Sequence, residues 1–416
     1  MGIRVQTQMC RLTAGSVERG ALLLAKAAAG AAGDRPHVTT TNTQPYGRAA
    51  RIVVVATALV VALAALAGTA QARGGGGFIG VVDPFPTRCG ADQKKGDCLS
   101  SRDLRRMRRA HLKIVRWGFR WDDVEGTKGL YRWGVTDDTV GALASRGIRV
   151  LPVMTGSPTW AAPTFGTAPV NTREARKGWQ RFLKAAVKRY GPKGEYWTYP
   201  GLYRTEFPGG PIRPIKTWQI WNEQNIQGGR QRVLPRKYAR LVRLSHNAID
   251  AANPRAKILL GGMPGYIRSR AWVYLNKLYK RHGLKRKFDA VALHPYSPDV
   301  GHVLVQIKQM RRVMRKHHDA GAGLWITELG WGSKRPSEGQ PINKGLKGQK
   351  RLLKATFPIL KRYHRRWNLR HAFWFRWRDP PHGTGGCTFC SSSGLLHHDQ
   401  KPKPAWRAFK HITKPR

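Results

Sequence analysis

The chain has 416 residues, 41% hydrophobic and 9% aromatic, enough to build a sizeable core in one barrel-sized domain. Lys and Arg number 75 against 23 Asp and Glu, a formal net charge of +52. The basic residues are scattered along the chain rather than gathered in an arm or stripe. That argues against a nucleic-acid-binding module and makes the charge a surface property first.

The N-terminal part has the features of an export segment. Arg48 and Arg51 precede an apolar run from Ile52 to about Leu66, and Ala70-Gln71-Ala72 offers an A-x-A cleavage site. Residues 1–72 are therefore assigned to a leader and signal peptide, whose long low-complexity start a misassigned start codon would explain. The apolar run is near the lower length limit for spanning, so without cleavage it would be a membrane anchor. Removing residues 1–72 takes away seven basic and two acidic residues and leaves +47. Residues 73–77 (RGGGG) form a flexible linker, and 78–416 form the folded domain.

After the linker, short apolar runs alternate with amphipathic segments. The strand-like runs are 78–82, 113–119, 148–154, 216–222, 257–262, 288–294, 324–330 and 371–377. Helical patterns follow at 101–111, 136–146, 172–190, 235–252, 269–282, 302–319, 345–366 and 404–412. Parallel neighbours need crossover helices, and a count of eight favours a closed (β/α)8 TIM barrel over an open sheet. Nucleotide-binding glycine signatures are absent from the positions where such folds carry them.

A barrel of this type works at the carboxyl ends of its strands. There the fourth run ends in WNEQN, with Asn222 and Glu223, and the seventh passes through ITELGW, with Glu328. Two carboxylates at strand ends are a conspicuous use of acid in an acid-poor chain. One protonated and one ionised carboxyl flanking a cavity are what glycosidic cleavage needs. Arg116 on the second strand could keep Glu328 ionised, with Arg120 as its rival. Trp160, Trp374 and Trp377 are candidate sugar-stacking surfaces, with Trp377 preferred as the rim residue. Tyr296 could hydrogen-bond Glu328, and His294 could contact a sugar hydroxyl.

WNEQN resembles the acid/base motif, and ITELGW the nucleophile motif, of clan A retaining glycoside hydrolases, in particular family 39-type and related cellulase-like members. VALHPYS at the sixth strand, SPTWA at the third and GLLHHDQKPKPAWRAF at the end extend the resemblance over nearly the whole mature chain. It implies Glu223 as acid/base, Glu328 as nucleophile, Asn222 as donor to the sugar 2-hydroxyl, and retention at a β-linked bond. It implies carboxyls about 5–5.5 Å apart. Many members have Pro where this chain has Gln224, a departure that bears on rim contacts.

The expected partner is an oligo- or polysaccharide, with an acidic glycan suggested by the charge, and no cofactor or metal is called for. The alternative is a non-catalytic barrel that binds carbohydrate or an anionic polymer. Substrate choice is expected to lie in loops such as 192–215 and 378–394. Cys10 falls in the leader. Cys89, Cys98, Cys387 and Cys390 suggest two bridges, Cys89–Cys98 and Cys387–Cys390, in an oxidising extracellular compartment. The alternative for the second pair is a zinc site with His382, His397 or His398.

Overall fold

The computed structural model describes residues 77–83, 98–226, 233–265, 270–337, 340–381, 387 and 389–415. The leader, most of the glycine linker and Cys89 lie outside the described residues. Eight strands are present: β1 (Ile79–Val82), β2 (Ile114–Arg120), β3 (Arg149–Thr155), β4 (Thr217–Asn222), β5 (Lys257–Pro264), β6 (Ala290–His294), β7 (Gly323–Leu329) and β8 (Leu369–Phe375). All neighbours are parallel, and β8 closes on β1, giving the (β/α)8 TIM barrel that the alternation of runs implies.

A long helix follows each strand: α1 (Ser101–Arg109), α2 (Gly134–Ser145), α3 (Arg173–Tyr190), α4 (Pro235–Ala252), α5 (Ala271–His282), α6 (Val300–Lys316), α7 (Gly345–Arg362) and α8 (Pro404–Thr413). Their starts carry recognisable local signals. Ser100 and Asp103 form a reciprocal capping box on α1, Thr172 caps α3, and Asp299 caps α6, each supplying an oxygen to an unpaired helical N–H. Proline opens α4 and α8, where its missing N–H has no helical partner to lose.

Strand alternation divides the core in two. Odd-numbered β2 residues turn outward: Phe119 packs against Trp133, Phe182 and Tyr190 beneath the helices. Inside the barrel, Val82, Ile114, Leu151, Leu259, Ala290, Ala292, Trp325 and Phe373 form a second apolar cluster. This floor closes the lower barrel, so polar groups nearer the strand carboxyl ends sit on a dry base.

Two expectations change here. The 192–215 loop joins α3 to β4 and therefore lies at the amino-terminal end of the barrel, opposite the strand ends that carry Glu223 and Glu328. The 378–394 segment follows β8 and does lie on the carboxyl side. In addition, β8 ends at Phe375, two residues before the expected limit. Beyond it Trp377 packs edge-on against Trp406 of α8, and its indole N–H donates to Asp103 of α1 at 3.0 Å. Trp377 is fully buried and is not a rim platform. Trp374 faces outward onto Trp331 and Phe357. The inward rim position of β8 belongs to Phe375, which is only half-buried.

Trp377→Ala is expected to lower unfolding free energy by about 3–5 kcal/mol in a denaturant titration, as truncation of a buried tryptophan does. Unchanged stability with weakened sugar binding would return Trp377 to the cavity.

Candidate active site

Arg116 organises the site. Being on the inward face of β2 and only 4% exposed, it spends its guanidinium on three neighbours. Nε donates to Gln219 Oε1 at 2.8 Å, Nη1 to Glu328 Oε1 at 2.5 Å and Nη2 to Asn222 Oδ1 at 2.7 Å. Gln219 in turn donates through Nε2 to the Leu260 carbonyl at 3.1 Å. The rigid guanidinium fork thus ties β2 to β4 and β7. Since Asn222 accepts from Arg116 through its oxygen, its NH2 is the end left to donate to a ligand. Arg120, the rival, lies at the rim and pairs with Asp122 instead.

Glu328 receives a second donor, the Tyr296 hydroxyl, at Oε2 and 2.7 Å. Burial pushes the Glu328 carboxyl up, but the charges of His294 and Arg116 and hydrogen bonds from Tyr296 and Arg116 together hold it below the usual carboxylate range. Burial, followed by the field of Glu328, pushes the Tyr296 phenol far above its ordinary value, so its hydroxyl remains a proton donor. Glu328 is therefore kept as a carboxylate in a buried place.

Glu223 reaches the same space by a different device. Trp221 and Glu223 have φ of 70° and 49°, a left-handed backbone that costs non-glycine residues on the order of 1–3 kcal/mol each. The reversal lets Trp221 pack outward against Trp179 while Asn222 and Glu223 occupy the barrel mouth. At Trp221 the β4–β5 pairing skips one residue without a change of register, and the hydroxyl of Tyr238, from α4, fills the gap. It donates to the Ile220 carbonyl at 2.9 Å and accepts the Gly261 N–H at 2.7 Å. Gln224 points into the core, where its amide serves the Gly261 carbonyl at 3.1 Å. Gln224, where the resembling glycoside hydrolases often have Pro, is fully buried and braces this end of β4 rather than the rim.

His294 is completely buried and serves the protein rather than a sugar. Nδ1 lies 3.0 Å from Glu223 Oε1, and Nε2 lies 3.0 Å from the Thr327 hydroxyl. This orients Glu223. The close fit requires glycine opposite: a Cβ at Gly262 would come within 1.8 Å of Nε2.

The remaining candidates scatter. Trp160 is half-buried, edge-on to Trp121, with its N–H committed to the Glu125 carbonyl. Trp331 is buried and bonds the Ser297 carbonyl. The aromatic wall beside the carboxylates is instead Phe375 and Phe389, 5.9 and 4.9 Å from the Tyr296 ring. Cys387–Cys390 is a disulfide, which removes the thiolates a zinc site would need. Cys98 is disulfide-bonded, while its expected partner Cys89 lies outside the described residues.

One carboxylate oxygen each of Glu223 and Glu328, with a ring nitrogen of His294, lie within 4.8 Å of one another. Three such ligand atoms could in principle hold a cation. Arg116 argues against it, because it places a fixed positive charge on one oxygen of Glu328 while Tyr296 occupies the other. The arrangement suits an ionised carboxylate facing an oriented carboxyl group.

No family model matches the chain, and no curated protein matches it. Solved structures do match. A family 39 glycoside hydrolase from the gut symbiont Bacteroides cellulosilyticus WH2 aligns over 81% of this chain and 63% of its own, at 20% identity and a TM-score of 0.57. The fold is the one shared by family 39 and related clan A glycoside hydrolases. A monomeric β-xylosidase from Caulobacter crescentus CB15 aligns over 81% of this chain and 68% of its own, at 14% identity and a TM-score of 0.57. An exo-β-1,4-mannosidase from Opitutaceae bacterium strain TAV5 aligns over 80% and 58%, at 15% identity and a TM-score of 0.54. At these identities the likeness is one of fold, and this chain spans less than two thirds of the first-named hydrolase.

Arg116→Met is expected to raise the Glu328 pKa, read by carboxyl NMR titration, because it removes a neighbouring positive charge and a hydrogen bond. The sign follows from the depressed folded value. Stability from this carboxylate is fully present above its unfolded pKa and is lost as pH falls through the folded one. The variant should therefore lose stability at higher pH than the parent on acidification. An unmoved Glu328 titration would contradict the role given to Arg116.

Proposed function

We propose that the protein is a secreted retaining glycoside hydrolase that cleaves a β-linked glycosidic bond. The observation that carries this reading is the pair of carboxylates with oxygens within 4.8 Å. That spacing belongs with the separation of about 5–5.5 Å used in double displacement rather than the roughly 6.5–9.5 Å that leaves room for an inverting water.

In the first step a Glu328 oxygen attacks the anomeric carbon, and the bond to the leaving oxygen breaks as Glu223 donates it a proton. The product is a glycosyl ester on Glu328 and a free alcohol. In the second step Glu223, now ionised, takes a proton from water, whose oxygen attacks the same carbon and releases the Glu328 carboxylate. Two inversions give retention. Arg116 and Tyr296 keep the nucleophile charged, His294 aims Glu223, and the Asn222 amide meets the 2-hydroxyl, where its bond strengthens as the ring gains oxocarbenium character.

Export is supported by the arginine-flanked apolar run and its A-x-A site, and by the Cys387–Cys390 disulfide, a bond stable in oxidising compartments. The β-configuration is suggested by the β-xylosidase and β-mannosidase neighbours.

The test is a panel of aryl β-glycosides, including xyloside, mannoside and galactoside, run with two variants. Glu328→Ala should abolish turnover. Glu223→Ala should lose about 10²–10⁴-fold on poor leaving groups while sparing dinitrophenyl glycosides, which depart without a proton. Equal, mild losses from both changes would overturn the assigned roles.

A further inference from the structure

We propose that the β2–β3 side of the barrel mouth holds a second sugar subsite, for a neutral, hydroxyl-rich ring of an oligosaccharide, with Phe165 as its stacking surface. The inference rests on the glycosidase reading and names the substrate class of that site. Its evidence is separate from the catalytic pair.

Arg116, Gly118 and Arg120 share the inward face of β2, and pairing with β3 runs without a shift from Ile114↔Arg149 to Arg120↔Thr155. Arg116 holds the nucleophile. Two residues further toward the rim, Gly118 is exposed, and a Cβ built there would meet no atom within 4 Å. That is open space directly beside the catalytic machinery. Two residues beyond it stands Arg120, with its guanidinium 5.4 Å from the centre of the Phe165 ring. Four strand residues span roughly 13 Å, too far from Arg116 for Phe165 to serve the ring under attack but suited to a ring further along the chain.

The platform is built rather than loose. Phe165 is 55% exposed, so its ring is open to a ligand, while its loop is pinned at several points. The Ser157 N–H donates to the Phe165 carbonyl at 2.9 Å, the Ser157 hydroxyl to Thr167 at 2.7 Å, and Thr164 and Thr167 bond each other. The apolar face of a pyranose packs on such an aromatic surface.

The charges select a neutral ring. Arg120 is bonded to Asp122 through both Nε and Nη2 and lies 3.5 Å from Asp123. Two carboxylates against one guanidinium leave this patch net negative, although the chain has only 23 acidic residues against 75 basic ones. A uronic-acid carboxylate would be repelled here, whereas sugar hydroxyls find acceptors. The excess charge of the chain therefore does not extend to the place where an acidic glycan would have to lie.

The experiment compares kcat/KM on the aryl monosaccharide that the protein turns over fastest with kcat/KM on neutral di-, tri- and tetrasaccharides of the same sugar and on uronic-acid oligosaccharides. The parent should gain activity with each added neutral ring until the platform is reached, and should prefer neutral over acidic chains. Phe165→Ala should reduce the ratio of trisaccharide to aryl-glycoside activity by about two- to tenfold. Gly118→Leu, which fills the gap, should reduce it in the same sense. Tyr199→Ala, which removes an equally exposed aromatic at the opposite pole, should leave the ratio alone. Turnover of the aryl glycoside with no chain-length gain, with a ratio indifferent to Phe165 and Gly118, or with a preference for acidic chains would overturn the subsite. Failure to turn over any glycoside would instead overturn the glycosidase reading on which it stands.

Discussion

One guanidinium sets the geometry of the barrel mouth. Arg116 is buried and gives a donor to each of Gln219, Asn222 and Glu328, so β2 is tied to β4 and β7 by a rigid fork. A buried ion pair of this kind adds little net stability, because removing both charges from water costs about as much as their attraction returns. Its value lies in position and protonation state. It helps hold a carboxylate ionised where burial alone would neutralise it, and it engages the Asn222 oxygen, leaving the amide hydrogens as that group's remaining donors. The Tyr296 hydroxyl completes the constraint by fixing the other oxygen of Glu328.

The opposite carboxyl is placed by backbone rather than by charge. Left-handed φ at Trp221 and Glu223 breaks the alternation of β4, and the ladder bonds lost there are replaced by the Tyr238 hydroxyl and the Gln224 amide. Strain offset by surrounding packing is a recurrent feature of working sites. The two glutamates consequently differ in kind. Glu328 sits in a saturated cage of donors, while Glu223 is half-buried and held mainly by His294.

The architecture was readable because its signal is periodic. Eight apolar runs and eight amphipathic segments leave few alternatives, and Glu223, Glu328, Arg116, Asn222 and Tyr296 all come together at the strand ends. What escaped the sequence depended on contacts without a period. Trp377 shares the parity of Phe373 and Phe375, so alternation alone points it inward, but the strand stops two residues earlier and the indole turns to Asp103. Tyr238 lies in the first turn of α4 and acts on backbone 18 and 23 residues away, which no local pattern reports. His294 looked like a sugar ligand because it precedes Tyr296, yet Gly262 lets it sink into the wall. Gln219 carried a usable hint, being a polar side chain in the middle of an apolar strand. The 192–215 loop runs from helix to strand, and that direction, not its length, places it at the pole opposite the carboxylates.

The proposed double displacement requires Glu328 to be the nucleophile whose oxygen bonds to the sugar. Incubation with a 2-deoxy-2-fluoro glycoside of the preferred sugar, whose fluorine slows hydrolysis of the ester, followed by peptide mass spectrometry, reads this directly. The added sugar mass should map to the peptide containing Glu328, and to Glu328 within it. Label on a different residue, or an unlabelled protein that releases product of inverted configuration, would contradict the account.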